Sequence, residues 1–148
     1  MSLFDSMQIS SSGLAAQRMR MKLISSNIAN VNTTRTPGGG PYRRREVIFG
    51  ALPQQKSFME ELRGQENSQG AREVKVLGVV EDSRPPQMKY DPGHPDANEE
   101  GYVAMPNVDI VEEMTNMMVS KRSYEANLAS INATKNLITK SLEIGGRI

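Results

Sequence analysis

The single histidine, His94, stands in the run Asp91-Pro92-Gly93-His94-Pro95-Asp96, so Asp91, His94 and Asp96 could offer one nitrogen and two carboxylates to a metal ion. Three such ligands without a fourth describe a turn better than a metal centre. The next run, Asp96-Ala97-Asn98-Glu99-Glu100-Gly101, opens like a calcium loop, with oxygen-bearing side chains at alternate positions and a glycine sixth. Its closing position is Asn107, which lacks the bidentate carboxylate of such loops, and a solvated acidic turn is expected instead. Glu99 and Glu100 are adjacent, a poor arrangement for two carboxyl groups that must converge on one glycosidic bond. Gly38 to Gly40 lack the Lys-Ser/Thr ending of a phosphate loop, and no Gly-x-Ser-x-Gly elbow presents a serine nucleophile. We therefore expect no enzyme, no metal and no cofactor.

Arg35, Arg43, Arg44 and Arg45, with Tyr42 beside them, form a basic cluster that could contact phosphates. The net charge is only +1, and arginine is enriched where proteins meet. Protein contact, through a partner, a second copy or the acidic stretch from Asp91 to Glu100, is the favoured reading, and nucleic acid the disfavoured one.

The elements that would position these residues are set by the two ends of the chain. Near the start, Met7, Leu14, Met21 and Ile28 recur every seven residues, with Leu3, Ile24 and Val31 on the adjoining heptad position. Ser10 and Gln17 fall on that second position and make the face partly polar. Near the end, Ile110, Met117, Tyr124, Ile131 and Ile138 form an unbroken heptad row, flanked by Met114, Leu128 and Leu142 and interrupted by Lys121 and Lys135. Two such helices at opposite ends favour assembly over an ordinary amphipathic helix on a globular core. Methionines 7, 19, 21, 114, 117 and 118 add adaptable side chains suited to several non-identical neighbours.

The first helix is expected from about Leu3 to Val31 and to stop in the Asn, Thr, Pro and Gly residues that follow. Tyr42 to Phe49 and Glu73 to Glu81 read as strands, with a mobile excursion between them at about 53–70 and a helical turn near Phe58 to Leu62. Pro85, Pro86, Pro92 and Pro95 predict a stiff approach to the last helix, which Asn107 is placed to cap and Asp109, Glu112 and Glu113 to favour through the helix dipole. The fold class expected is mainly α with a small β-containing middle, the terminal helices pairing as an antiparallel, coiled-coil-like hairpin. The divisions are 1–36, 37–106 and 107–148.

Hydrophobic residues make up 37% of the 148, with no tryptophan, which predicts a thin core and much surface left for partners. The chain has no cysteine, so neither a disulfide framework nor a thiolate site can form. The amino terminus lacks the apolar run of a cleaved signal, and no stretch approaches the ~20 apolar residues of a membrane span.

The segment Ser26-Asn27-Ile28-Ala29-Asn30-Val31-Asn32-Thr33-Thr34-Arg35-Thr36 resembles the amino-terminal signature of bacterial flagellar rod and hook proteins. Val111-Glu112-Glu113-Met114 through Arg122-Ser123-Tyr124-Glu125-Ala126-Asn127 is similar to their carboxy-terminal signature. Gly39-Gly40-Pro41-Tyr42-Arg43-Arg44, Asp91 to Asn98, Gly101-Tyr102-Val103 and Pro106-Asn107-Val108 resemble the proximal-rod members in particular. A distal-rod or hook-type paralogue is the alternative that shares the end signatures. The resemblance implies a structural subunit of the basal-body rod, in the periplasmic space, whose end helices bundle into a tube that transmits torque. It implies as partners other copies of the chain, other rod proteins, the adaptor to the membrane ring and the flagellar type III export apparatus. Asn27, Asn30, Thr33 and Arg35 are its signature residues at one end, and Arg122, Tyr124 and Asn127 at the other.

Overall fold

The computed structural model describes residues 3–53 and 72–145. Helix α1 spans Leu3–Ala29 and helix α2 spans Ile110–Gly145; between them lie strands β1 (Arg45–Pro53), β2 (Arg72–Glu81), β3 (Gln87–Tyr90) and β4 (Tyr102–Met105). The protein is thus mainly helical with a small β middle, as the heptad ends and the valine-rich centre predict. Apart from Pro53, which ends β1, the excursion expected at 53–70 and its helical turn lie outside the described residues.

α1 contains no proline and a single glycine, and it stops where its own side chains end it. The Asn30 N–H is shared between the carbonyls of Ser26 and Asn27, and Asn30 Nδ2 donates to Ser26 O at 2.8 Å. Thr33 Oγ1 then donates to Asn30 Oδ1, and Gly39 and Gly40 take positive φ values of 83° and 72° that turn the chain back. The cap of α2 differs from the expectation. Asp109 Oδ1 accepts from the N–H groups of Val111 (2.7 Å) and Glu112 (3.2 Å), while Asn107 Oδ1 accepts from Arg44 N at 3.1 Å. Asn107 lies three residues before the first helical residue, two positions ahead of the capping Asp109.

β1 pairs with β2, and β3 pairs antiparallel with β4 in the register Gln87↔Met105 to Tyr90↔Tyr102. This second hairpin replaces the stiff approach read from the prolines, because Pro85, Pro86, Pro92 and Pro95 flank β3 instead of interrupting its ladder. Asn98 Oδ1 accepts from the N–H groups of Glu100 and Tyr102, and Gly101 sits at φ 81°. A Cβ at Gly101 would also come within 2.9 Å of the Tyr90 ring, which packs edge-on against Tyr102 with centroids 5.3 Å apart.

The chain forms two compact units, and both helices and the β1–β2 ribbon run through each. In the first, which holds residues 3–18, 49–53, 72–77 and 122–145, the helices pair antiparallel. Ser10 Oγ donates to Ser130 Oγ at 3.2 Å, and three residues further along α1 Gly13 faces Asn127, three residues back along α2. Ser10, Ala16 and Thr134 are buried here, and the Val74 N–H of β2 donates to Ser12 Oγ at 3.1 Å. In the second unit, residues 19–48 and 78–121, the buried apolar side chains are Ile24, Tyr42, Val47, Val103 and Val108, accompanied by Asn27, Arg44, Asn107, Glu113 and Ser120. The position occupied by Ser10, Gln17 and Ile24 therefore turns inward, and small or polar side chains do much of the packing.

Gly13 leaves room for Asn127: an added Cβ would meet Asn127 Nδ2 at 2.9 Å. Gly13→Leu is expected to destabilise the chain by about 1–3 kcal/mol through overpacking. Gly13→Ala is expected to fall near neutral, because about 1 kcal/mol of helix propensity offsets a shift of the flexible amide. Urea unfolding of the two variants checks the ordering.

Candidate functional site

The second unit is organised around a buried polar cluster in which residues from both ends of the chain meet. Glu113, one turn into α2, has no exposed surface. Its Oε1 accepts from Arg44 Nε at 2.8 Å, and its Oε2 accepts from Asn27 Nδ2 at 2.9 Å. Asn27 uses its whole hydrogen-bonding capacity: Nδ2 also donates to Arg45 O (2.9 Å), and Oδ1 accepts from Tyr42 Oη (2.9 Å) and Arg45 N (3.0 Å). An asparagine on α1 thereby holds the start of β1 and a carboxylate of α2 in one network. Such satisfaction is what a buried polar group requires, since each missing partner would cost the full desolvation penalty.

The Arg44 guanidinium also approaches Glu46 at 3.3 Å, Glu112 at 3.7 Å and Asp82 at 4.0 Å. Burial works against its charge, but the hydrogen bond and charge of Glu113, with Glu46 and Glu112, outweigh burial and raise its pKa above the ordinary arginine value. A raised folded pKa means that this contribution is complete below the unfolded arginine pKa, hence across ordinary pH. Asp82 is shifted the other way: hydrogen bonds from the Arg84 side chain and backbone hold it below the usual carboxylate range. Its contribution is present above the unfolded carboxylate pKa and lost as pH falls through the lowered folded value.

The four arginines separate. Arg44 is buried in the cluster; Arg45 pairs with Glu81 at 3.1 Å and lies over the Tyr42 ring at 5.7 Å; Arg43 and Arg35 are exposed. Arg44 is thus engaged within the chain, chiefly by Glu113 of α2. That stretch is a turn: His94 Nδ1 accepts from Asp96 N at 3.1 Å, and Asp96 Oδ2 accepts from Thr34 Oγ1 at 2.8 Å. Among the described residues no group of three His, Cys, Asp or Glu side chains could hold a metal ion, and no helix is long and apolar enough to cross a membrane.

Of the apolar heptad residues, Ile24 is buried, and Met7, Leu14, Met21, Ile28, Met117, Tyr124, Ile131 and Ile138 are half-buried. Ile110, Met114, Leu128 and Leu142 are exposed at 45%, 55%, 42% and 70%, joined by Val111, Met118 and Leu137. Of the signature residues, Asn27 is in the buried cluster, Asn30 and Thr33 close α1, Asn127 faces Gly13, Tyr124 is half-buried, and Arg35 and Arg122 are exposed. The pairing of Glu113 with Arg44, and the roles of Tyr42 and Asn107, carry no local sequence signal. Their partners lie on distant segments, and a glutamate in a first helical turn already has a sufficient explanation in the helix dipole.

Glu113→Ala leaves the Arg44 guanidinium without its buried partner and is expected to cost about 3–5 kcal/mol. Tyr42→Phe removes one donor to Asn27 and is expected to cost about 0.5–1.5 kcal/mol. Chemical denaturation of both variants measures the difference; equal small losses would mean that the cluster does not hold the fold.

Two family profiles match the ends of the chain. One, described as flagella basal body rod protein, covers residues 7–35, and the other, the carboxy-terminal part of flagellar basal body rod FlgEFG proteins, covers 99–144. Among similar proteins, the flagellar basal-body rod protein FlgC of Borreliella burgdorferi is 44% identical over 97% of this chain and 98% of its own length. FlgC of Bacillus subtilis is 44% identical, and FlgC of Salmonella typhimurium 39% identical, each over 98% of this chain and 99% of its own. Identity at this level along the whole chain includes the middle as well as the shared ends: the chain belongs to the FlgC family of flagellar basal-body rod proteins.

Proposed function

We propose that this chain is a structural subunit of the proximal part of the flagellar rod, and that it assembles through its terminal helices into a tube that passes on torque. Its role is mechanical, without a catalysed reaction. The observation that carries the reading is that α2 leaves large apolar side chains exposed in each unit, Ile110 and Met114 in the second and Leu128 and Leu142 in the first. Large apolar side chains left exposed on a small chain are surface available for association. The half-buried rows Met7, Leu14, Met21 and Ile28, and Met117, Tyr124, Ile131 and Ile138, supply further contact surface for neighbours.

In this reading residues 1–36 and 107–148 are the shaft-forming ends, and 37–106 is the module that spaces or stiffens the tube. The neighbours are other copies, other rod proteins and the adaptor to the membrane ring, within the periplasmic space. The chain reaches them through the flagellar type III export apparatus, threaded unfolded. A thin core and a helix pair with many small and polar contacts suit a chain that must unfold for passage and order again on arrival.

Leu128→Asp is expected to leave synthesis intact, since the site is exposed, but to block rod assembly by burying an unpaired charge at a cost of several kcal/mol. Ile131→Asp, at a half-buried position, is likewise expected to leave synthesis intact and to block assembly. Electron microscopy of basal bodies and a motility assay check this; normal basal bodies in both variants would remove the helices from the interface. Far-UV circular dichroism of the dilute chain is expected to show less helix than α1 and α2 contain, rising with concentration. Full helicity at high dilution would show that the ends order without company.

A further inference from the structure

In the second unit an open groove of about 490 Å³ lies between α1 and the β1–β2 ribbon. Met19 and Leu23 of α1 and Val79 of β2 give it an apolar floor, and Lys22, Arg45 and Glu81 stand among its polar lining. The same unit presents Val111, Met114 and Met118 of α2 to solvent, 73%, 55% and 59% exposed. Their i, i+3, i+7 spacing puts them on one helix face, the pattern of a helix that anchors in a groove. Because these side chains remain in solvent, they do not fill their own chain's groove.

We propose that the groove receives the Val111, Met114 and Met118 face of a second copy of this chain, in a head-to-tail contact. The inference rests on the rod assignment and deepens it by naming the two surfaces that meet. Unlike surfaces on one chain generate a ring or an open helical array according to the rotation between copies, whereas an α2 face that paired with itself would close into a dimer and stop. The charges agree: exposed Asp109 and Glu112 open α2, and exposed Lys22 stands at the groove. Thioethers on both sides, Met19 against Met114 and Met118, let the contact adapt as it repeats from copy to copy.

The chain has no cysteine, so introduced thiols are the only ones present. Full-length Val79→Cys and Met114→Cys variants, both substituted at exposed positions, are purified separately, then oxidised alone and mixed in equal amounts. The expected result is a several-fold excess of disulfide-linked dimer in the mixture over either variant alone. A mixture no better than the separate variants, or linkage dominated by Met114→Cys with itself, overturns the proposal. The two variants are also produced together in motile cells and their basal bodies isolated. The mixed link in those particles supports the groove contact, and labelled protein present without it overturns the contact but leaves the rod assignment standing. Absence of the protein from basal bodies overturns the rod assignment itself.

Discussion

A carboxylate with no surface in water, Glu113, has one oxygen on the Arg44 guanidinium and the other on the Asn27 amide. Neither charge would survive burial alone, since a desolvated ion costs several kcal/mol unless a partner and further hydrogen bonds repay it. Asn27 brings α1, Arg44 brings the segment leading into β1, and Glu113 brings α2. Each group is correctly placed only when the other two are, which makes the cluster a specification of geometry more than a source of stability. It also explains why an arginine-rich stretch in a nearly neutral protein need not face a polyanion.

The rest of the helix pairing follows the same logic. Ser10, Gly13, Asn127 and Thr134 in one unit, and Asn27, Glu113 and Ser120 in the other, occupy places where a self-sufficient coiled coil would put leucine and isoleucine. Small side chains allow close approach and polar ones fix the register, but together they bury little apolar surface. The apolar residues are displaced to the flanks and the outer face, where Met114, Leu128 and Leu142 remain exposed. The small apolar core of Ala16, Ile24, Tyr42, Val47, Val103 and Val108 is thus supplemented by polar contacts, while large apolar side chains stay at the surface of a chain from a family of rod subunits.

Much of this was legible in the residues. Heptad spacing located both helices to within about two residues, because a 3.6-residue period is written directly in apolar positions. Val74, Val76, Val79 and Val80 located β2 for the corresponding reason in extended chain. The β3–β4 hairpin was not legible: its strands are four residues each, and the prolines around β3 read as rigid coil until Tyr90 and Tyr102 are seen to face one another. The cap of α2 was misplaced from Asp109 to Asn107, whose side chain is drawn away by the backbone of Arg44, a residue 63 positions distant.

By itself the sequence determined the helical ends, the β-containing middle and the flagellar resemblance, since periodicity, turn residues and motif order are properties of neighbouring positions. Only the tertiary structure decided which heptad position turns inward, that Arg44 is neutralised by Glu113, and which apolar side chains are left in water. Those outcomes depend on burial and on pairing between residues far apart in the chain. Desolvation is set by whatever surrounds a side chain in space, and local spacing does not encode it.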